Sequence, residues 1–142
     1  MDQTEASRAW GVLFARVVLG LLFFQGAFWR VFDLGVVEHA RRFFVMPYAE
    51  TFLPAWSLWV AGVGVPFAEL IGGALVLVGL WRVAGLLLLG GVLVLVTFGH
   101  LVTEPIYSIS GHIFPRLVLV VFLLIVPASW DRFSVDGWRA SR

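Results

Sequence analysis

The chain has 142 residues, of which 61% are hydrophobic and 13% are charged. Soluble domains are about 25% charged, so this composition, with its apolar residues gathered into long runs, indicates an integral membrane protein. The net charge of +1 gives no reason to expect nucleic-acid binding. The chain contains no cysteine, which excludes disulfides, thiolate-held iron–sulfur clusters and covalent haem. We therefore expect no covalent cofactor, and any redox role would need a non-covalent cofactor, a diffusing carrier such as quinone, or a partner subunit.

Four apolar runs are predicted to span the membrane, at about residues 10–29, 55–80, 83–102 and 113–127. Between the first two, residues 35–46 have the pattern of an amphipathic helix lying on the bilayer surface. Its expected polar face consists of Glu38, His39, Arg41 and Arg42, and its apolar face of Val36, Val37, Ala40, Phe43 and Phe44. We predict a single domain over residues 1–142, an all-α integral membrane four-helix bundle with this interfacial helix between spans one and two.

The expected location is the inner (plasma) membrane of a prokaryotic cell. No cleavage signal follows the first apolar run, so the first span is predicted to be retained. Four spans place both termini on one side, and the weak arginine bias favours the cytoplasmic side. The seven tryptophans all fall near predicted span boundaries, which is typical of an interfacial aromatic belt.

Glu69 is a carboxylate inside the second predicted span, where a charge costs about 2.5–3.5 kcal/mol. We expect a buried pair with Arg16, which lies at a similar depth in span one when both are counted from the cytoplasmic boundary. Small residues near Glu69, among them Gly64 and Gly72, favour close approach of the helices. Two interpretations stay open: a structural ion pair that fixes helix register, or a carboxylate that handles protons or binds a ligand.

A second group of polar residues is expected at the outer end of the bundle: Gln25, His100, Glu104, Tyr107, His112 and Arg116. His100 and Glu104 lie four residues apart at the end of span three, and His112 and Arg116 lie four apart at the start of span four. Such residues suit a quinone headgroup or a small oxyanion. They equally suit interfacial residues that cap helices and extend to the membrane surface. Their spacing matches no dedicated metal motif, so no metal site is predicted, and no catalytic residue is assigned.

Two segments resemble a known family. Residues Arg16–Arg30 read RVVLGLLFFQGAFWR, and residues Pro66–Gly85 read PFAELIGGALVLVGLWRVAG. They are similar to the DoxX/DoxD family of small four-helix membrane proteins, with an arginine and glycines in helix one and Ala-Glu-Leu before Gly-Gly in helix two. The segment ISGHIFPRL, Ile109–Leu117, is similar to the DoxD branch of that family.

The resemblance implies a membrane subunit of a quinone-linked oxidoreductase, with thiosulfate:quinone oxidoreduction as the reaction to consider. It also implies that Arg16 and Glu69 are motif residues. The alternative is a non-catalytic accessory subunit that stabilises a larger respiratory or other membrane complex, and a small carrier or channel is a third possibility. Expected partners are membrane lipid and either other proteins or further copies of the chain, with no nucleic acid.

Overall fold

The computed structural model describes residues 2–106 and 111–142, and over these residues the secondary structure is entirely helical. This confirms the predicted all-α class. The α-helices are α1 (Gln3–Phe28), α2 (Val36–Ala40), α3 (Ala55–Val78), α4 (Arg82–Thr103), α5 (Ile113–Ile125) and α6 (Val135–Ala140). A π-helical turn extends α1 over Trp29–Asp33 and another extends α2 over Arg41–Val45, and a short 3-10 helix covers Ala128–Trp130.

Three helical stretches of the described chain are long and apolar enough to cross a membrane: Gln3–Asp33, Ala55–Val78 and Arg82–Thr103. The fourth predicted span, at about residues 113–127, is a shorter helix in the structure. α5 has 13 residues, or about 20 Å of helix, against a hydrocarbon core of about 30 Å. It ends at Ile125 because proline disfavours helical backbone in the residue before it, and Val126, which precedes Pro127, is extended.

α1 and α3 pack against each other at glycines. A Cβ atom on Gly20 would lie 2.8 Å from Leu77 Cα, and a Cβ atom on Gly73 would lie 2.8 Å from the backbone nitrogen of Phe24. These two contacts set an antiparallel register in which Gly20 lies beside Leu77 and Phe24 beside Gly73. Close approach through small residues was expected around Glu69, but Gly64 lies outside it, with no atom within 4 Å of a Cβ added there.

The N-terminal and C-terminal segments lie at the same end of the long helices. Glu5 forms an ion pair of 3.5 Å with Arg132, and the rings of Trp10 and Phe133 are 5.0 Å apart. We call this the terminal end. The opposite end, which carries the α1–α3 connection and the start of α5, is called the cavity end.

Residues 36–45 of the α1–α3 connection are helical, but their buried face differs from the prediction. His39 is 4% exposed and Ala40 is fully buried, whereas Val37 is 64% exposed. Ala40 packs so closely on α3 that a Cβ atom on Gly62 would lie 2.7 Å from its Cα. His39 therefore lies on the protein-facing side and not on the expected polar face, because this segment packs against α3.

Candidate functional site

A cavity of about 790 Å³ lies at the cavity end, between α1, α3, α4, α5 and the α1–α3 connection. Its volume falls within the range of about 300–1,000 Å³ that is typical of small-molecule sites. The polar side chains in its wall are Arg30, His39, Tyr48, Ser57, Glu69, His100, His112 and Arg116. Most of the remaining wall is aliphatic or aromatic, including Phe23, Trp29, Phe43 and Phe44. The cavity is therefore suited to a ligand with a polar head and an apolar body.

Glu69 is paired with Arg30 and not with Arg16. The Arg30 guanidinium hydrogen-bonds the Glu69 carboxylate, which is 9% exposed against 28% for the arginine side chain. The predicted pair between Arg16 and Glu69 is therefore wrong, and the register of the two helices is the reason. With Gly20 beside Leu77 and Phe24 beside Gly73, Glu69 lies level with about residue 28 of the first helix, so Arg16 is about 12 residues, or about 18 Å, away from it along the helix.

A sequence signal for Arg30 existed. The buried residues of α1 include Arg16, Leu19 and Phe23, which recur at helical spacings of three and four. The same alternation, continued past Phe23, reaches residue 30. Arg30 therefore continues the face of the first helix that carries Arg16, Leu19 and Phe23.

Arg16 lies instead in a buried cluster at the terminal end. Its guanidinium is held by three backbone carbonyls, those of Val76 (3.1 Å), Leu77 (2.6 Å) and Phe133 (2.6 Å). Its Nε lies 3.3 Å from Asp131 Oδ1, and the other oxygen of Asp131 lies 3.4 Å from Arg82. Asp131 is therefore the carboxylate shared by two buried arginines. This cluster joins the C-terminal segment to α1, α3 and α4, and fits the structural interpretation of Arg16.

Arg116 supplies a second positive charge to the cavity. Its guanidinium lies 5.4 Å from the ring centroid of Phe23, and among the described residues no carboxylate lies within ion-pair distance of it. Two arginines, Arg30 and Arg116, thus face the cavity against one carboxylate, Glu69. With neutral histidines the described wall has an excess of one positive charge, which favours a ligand that presents oxygen acceptors or negative charge.

His39 is held in the cavity wall by a hydrogen bond to a backbone carbonyl that a proline leaves without its helical donor. Pro66 has no N–H, so the Gly62 carbonyl, four residues earlier in α3, lacks its usual helical donor. His39 Nδ1 lies 2.8 Å from that carbonyl oxygen and donates to it. Burial lowers the pKa of His39 below its ordinary value of 6.5; the Gly62 hydrogen bond opposes this shift and the charge of Arg30 adds to it. The neutral imidazole is therefore favoured.

The structure brings together part of the predicted outer cluster. His100, His112 and Arg116 line the same cavity as Glu69, so part of the outer cluster forms one site with Glu69, whereas Arg16 lies at the terminal end. Gln25 and Glu104 are exposed and do not line it. The predicted residue Tyr107 lies outside the described residues.

Four polar residues of the cavity wall were not predicted from the sequence: Arg30, His39, Tyr48 and Ser57. Only Arg30 had a sequence signal, its helical spacing. His39 and Tyr48 lie in the α1–α3 connection, and their place in the wall depends on how that connection folds onto α3 and α4. A Cβ atom on Gly99 of α4, for example, would lie 3.3 Å from the Tyr48 hydroxyl.

Comparison of the chain with protein-family models, with curated proteins and with solved structures finds no match. The resemblance to the DoxX/DoxD family therefore stays a prediction, and the cavity is the main structural basis for a functional proposal.

Proposed function

We propose that this chain is a multi-span membrane protein that binds a quinone in the cavity and serves as the quinone-binding subunit of an oxidoreductase. The outer surfaces of its long helices support membrane insertion. Phe14, Leu87 and Val94 are 61%, 62% and 69% exposed. Soluble monomers rarely expose extended apolar surfaces, whereas lipid-facing helices do.

The observation that carries the quinone proposal is the joint arrangement of charged donors and aromatic walls in one cavity. A quinone has carbonyl oxygens that accept hydrogen bonds, on an apolar ring with an apolar tail. Arg30 and Arg116 have only donors to offer, and Phe43 and Phe44 offer flat apolar surface. The excess positive charge would also stabilise the negative charge that develops on the quinone oxygens during reduction.

Reduction of a quinone to a quinol consumes two electrons and two protons. In this proposal Glu69 and the cavity histidines exchange protons with the headgroup. The electrons come from a donor that another subunit or a soluble substrate provides. Thiosulfate is the first donor to test, because the resemblance implies it: two thiosulfates yield one tetrathionate and two electrons. The proposed location is a prokaryotic inner (plasma) membrane with both termini cytoplasmic, which the resemblance and the arginine bias favour.

Binding of a short-chain quinone to the purified protein in lipid nanodiscs tests the proposal. Trp29 lines the cavity, so quenching of its fluorescence reports occupancy, and a Trp29→Phe variant identifies its share of the signal. Arg116→Gln is expected to weaken binding roughly tenfold or more, since a hydrogen bond from a charged donor contributes about 1.5–3 kcal/mol.

Arg132→Gln is the matched control, because Arg132 is an exposed arginine at the terminal end. Equal quinone affinity in the wild type and Arg116→Gln would contradict the site. Failure of the wild type to bind quinone, together with co-purification of stoichiometric partner subunits, would favour the accessory role.

A further inference from the structure

The hydrogen bond between His39 and Gly62 determines which nitrogen of the imidazole carries the proton. A carbonyl oxygen can only accept, and the Gly62 carbonyl is the one that Pro66 leaves without a helical donor. Nδ1 must therefore carry the hydrogen. In the neutral ring the other nitrogen, Nε2, is then a hydrogen-bond acceptor.

This acceptor belongs to the cavity wall. His39 is buried from outside solvent and lines the cavity, with its Nδ1 edge against α3. The rings of Phe43 and Phe44 lie 5.3 Å and 5.6 Å from the imidazole, and both are apolar. Among the described residues none hydrogen-bonds Nε2. Because burial lowers the pKa of His39, the ring stays neutral and the acceptor stays available.

The nitrogen Nε2 differs in kind from the two arginines of the cavity, which have only donors. The Glu69 carboxylate accepts from Arg30 through Oε2. A ligand that satisfies this wall brings oxygen acceptors to the arginines and a hydroxyl donor to the histidine. The ring oxygens of a quinone are carbonyls, which cannot donate a hydrogen bond, whereas a quinol has two ring hydroxyls that can.

We propose that His39 is a positioning residue whose Nε2 accepts a hydrogen bond from a ring hydroxyl, so that the cavity prefers the quinol over the corresponding quinone. This inference rests on the proposed quinone site and specifies the oxidation state that the site favours. In this inference the cavity retains the quinol, which is held by His39 on one side and by an arginine on the other.

The test compares the dissociation constants of one short-chain quinol and its quinone, measured anaerobically with the protein in nanodiscs. The wild type is expected to bind the quinol more tightly. His39→Asn keeps an amide N–H near the Nδ1 position for Gly62 and removes the acceptor at the Nε2 position. It should weaken quinol binding by roughly three- to tenfold, the effect of one hydrogen bond, and change quinone binding by less than about twofold.

Two further variants separate positioning from structure. His39→Gln, whose amide reaches the Nε2 position, should recover part of the quinol preference. Arg42→Gln is the matched control, because Arg42 is exposed on the same helical segment and does not line the cavity; its quinol-to-quinone ratio should equal that of the wild type. The ¹⁵N spectrum of wild-type His39 should show the tautomer with the proton on Nδ1.

Equal weakening of both ligands in His39→Asn would overturn the inference and leave the quinone site standing. If neither ligand binds the wild type, both proposals are overturned, whereas binding of the quinone without the quinol overturns this inference alone. If His39→Asn does not fold, the spectrum decides, since a proton on Nε2 of wild-type His39 would leave no acceptor for the quinol and would refute the assignment.

Discussion

Replacing Asp131 with asparagine removes the one negative charge shared by two buried arginines. The side chains of Arg16, Asp131 and Arg82 are 2%, 5% and 8% exposed. Removing one partner of a buried ion pair costs about 3–5 kcal/mol, because the remaining charge is left uncompensated. Arg16 keeps its three carbonyl acceptors, so we take the lower end, and expect the free energy of unfolding to fall by about 3 kcal/mol.

Reversible unfolding in mixed detergent micelles, followed by circular dichroism, measures this loss. The adjacent substitution Arg132→Gln is the control. It breaks the 3.5 Å ion pair between Arg132 and Glu5, in which both side chains are about half exposed. Exposed ion pairs contribute about 0–1 kcal/mol to stability. If Asp131→Asn costs no more than Arg132→Gln, the buried cluster does not stabilise the fold and the reasoning is wrong.

Three further predictions concern the helix contact, the cavity ion pair and the connection. Gly73→Ala should destabilise the protein by about 1–3 kcal/mol, because its Cβ would meet backbone of α1 at 2.8 Å, while Gly64→Ala should be neutral or slightly stabilising in the same unfolding assay. Arg30→Gln should lower the free energy of unfolding by about 3 kcal/mol, because it leaves the Glu69 carboxylate without its ion-pair partner. The double variant Arg30→Gln with Glu69→Gln should recover most of this loss. If the effects of the two substitutions simply add, the two side chains are not coupled. Because the pKa of His39 is lowered in the folded protein, the opened connection binds a proton more tightly than the closed one, and closure weakens as pH falls from 6.5 towards the lowered pKa. Amide exchange in the connection, corrected for intrinsic rates, should therefore accelerate by up to about tenfold per pH unit over that range. Exchange that does not depend on pH would contradict this.

The helical class and most helix positions could be predicted because apolar runs and their breakers are local features. The second and third predicted spans, at about residues 55–80 and 83–102, lie close to Ala55–Val78 and Arg82–Thr103. The turn between them is short because Gly79 takes a left-handed conformation, with φ of 69°, and ends α3. The fourth predicted span, at about residues 113–127, is longer than α5, because the apolar run continues through Val126 whereas the helix ends at Ile125, before Pro127.

The candidate site was predicted only in part, because partners across helices depend on register. Burial of Arg16 and Glu69 followed from charge in apolar segments, but the register in which α1 packs on α3 gave each of them another partner. Arg30 and Asp131 took those roles. Spacing along the chain gives the face on which a residue lies, and it does not give the depth at which two helices meet.

The sequence by itself determined that this is a helical chain rich in membrane-length apolar segments, with a few buried charges that need partners. Those properties follow from composition and from periodicity within single helices. Only the tertiary structure decided that Glu69, the histidines and Arg116 share one cavity, and that His39 faces it. That outcome depends on glycine contacts between helices and on the hydrogen bond from His39 to the Gly62 carbonyl, both of which form only once the helices have packed.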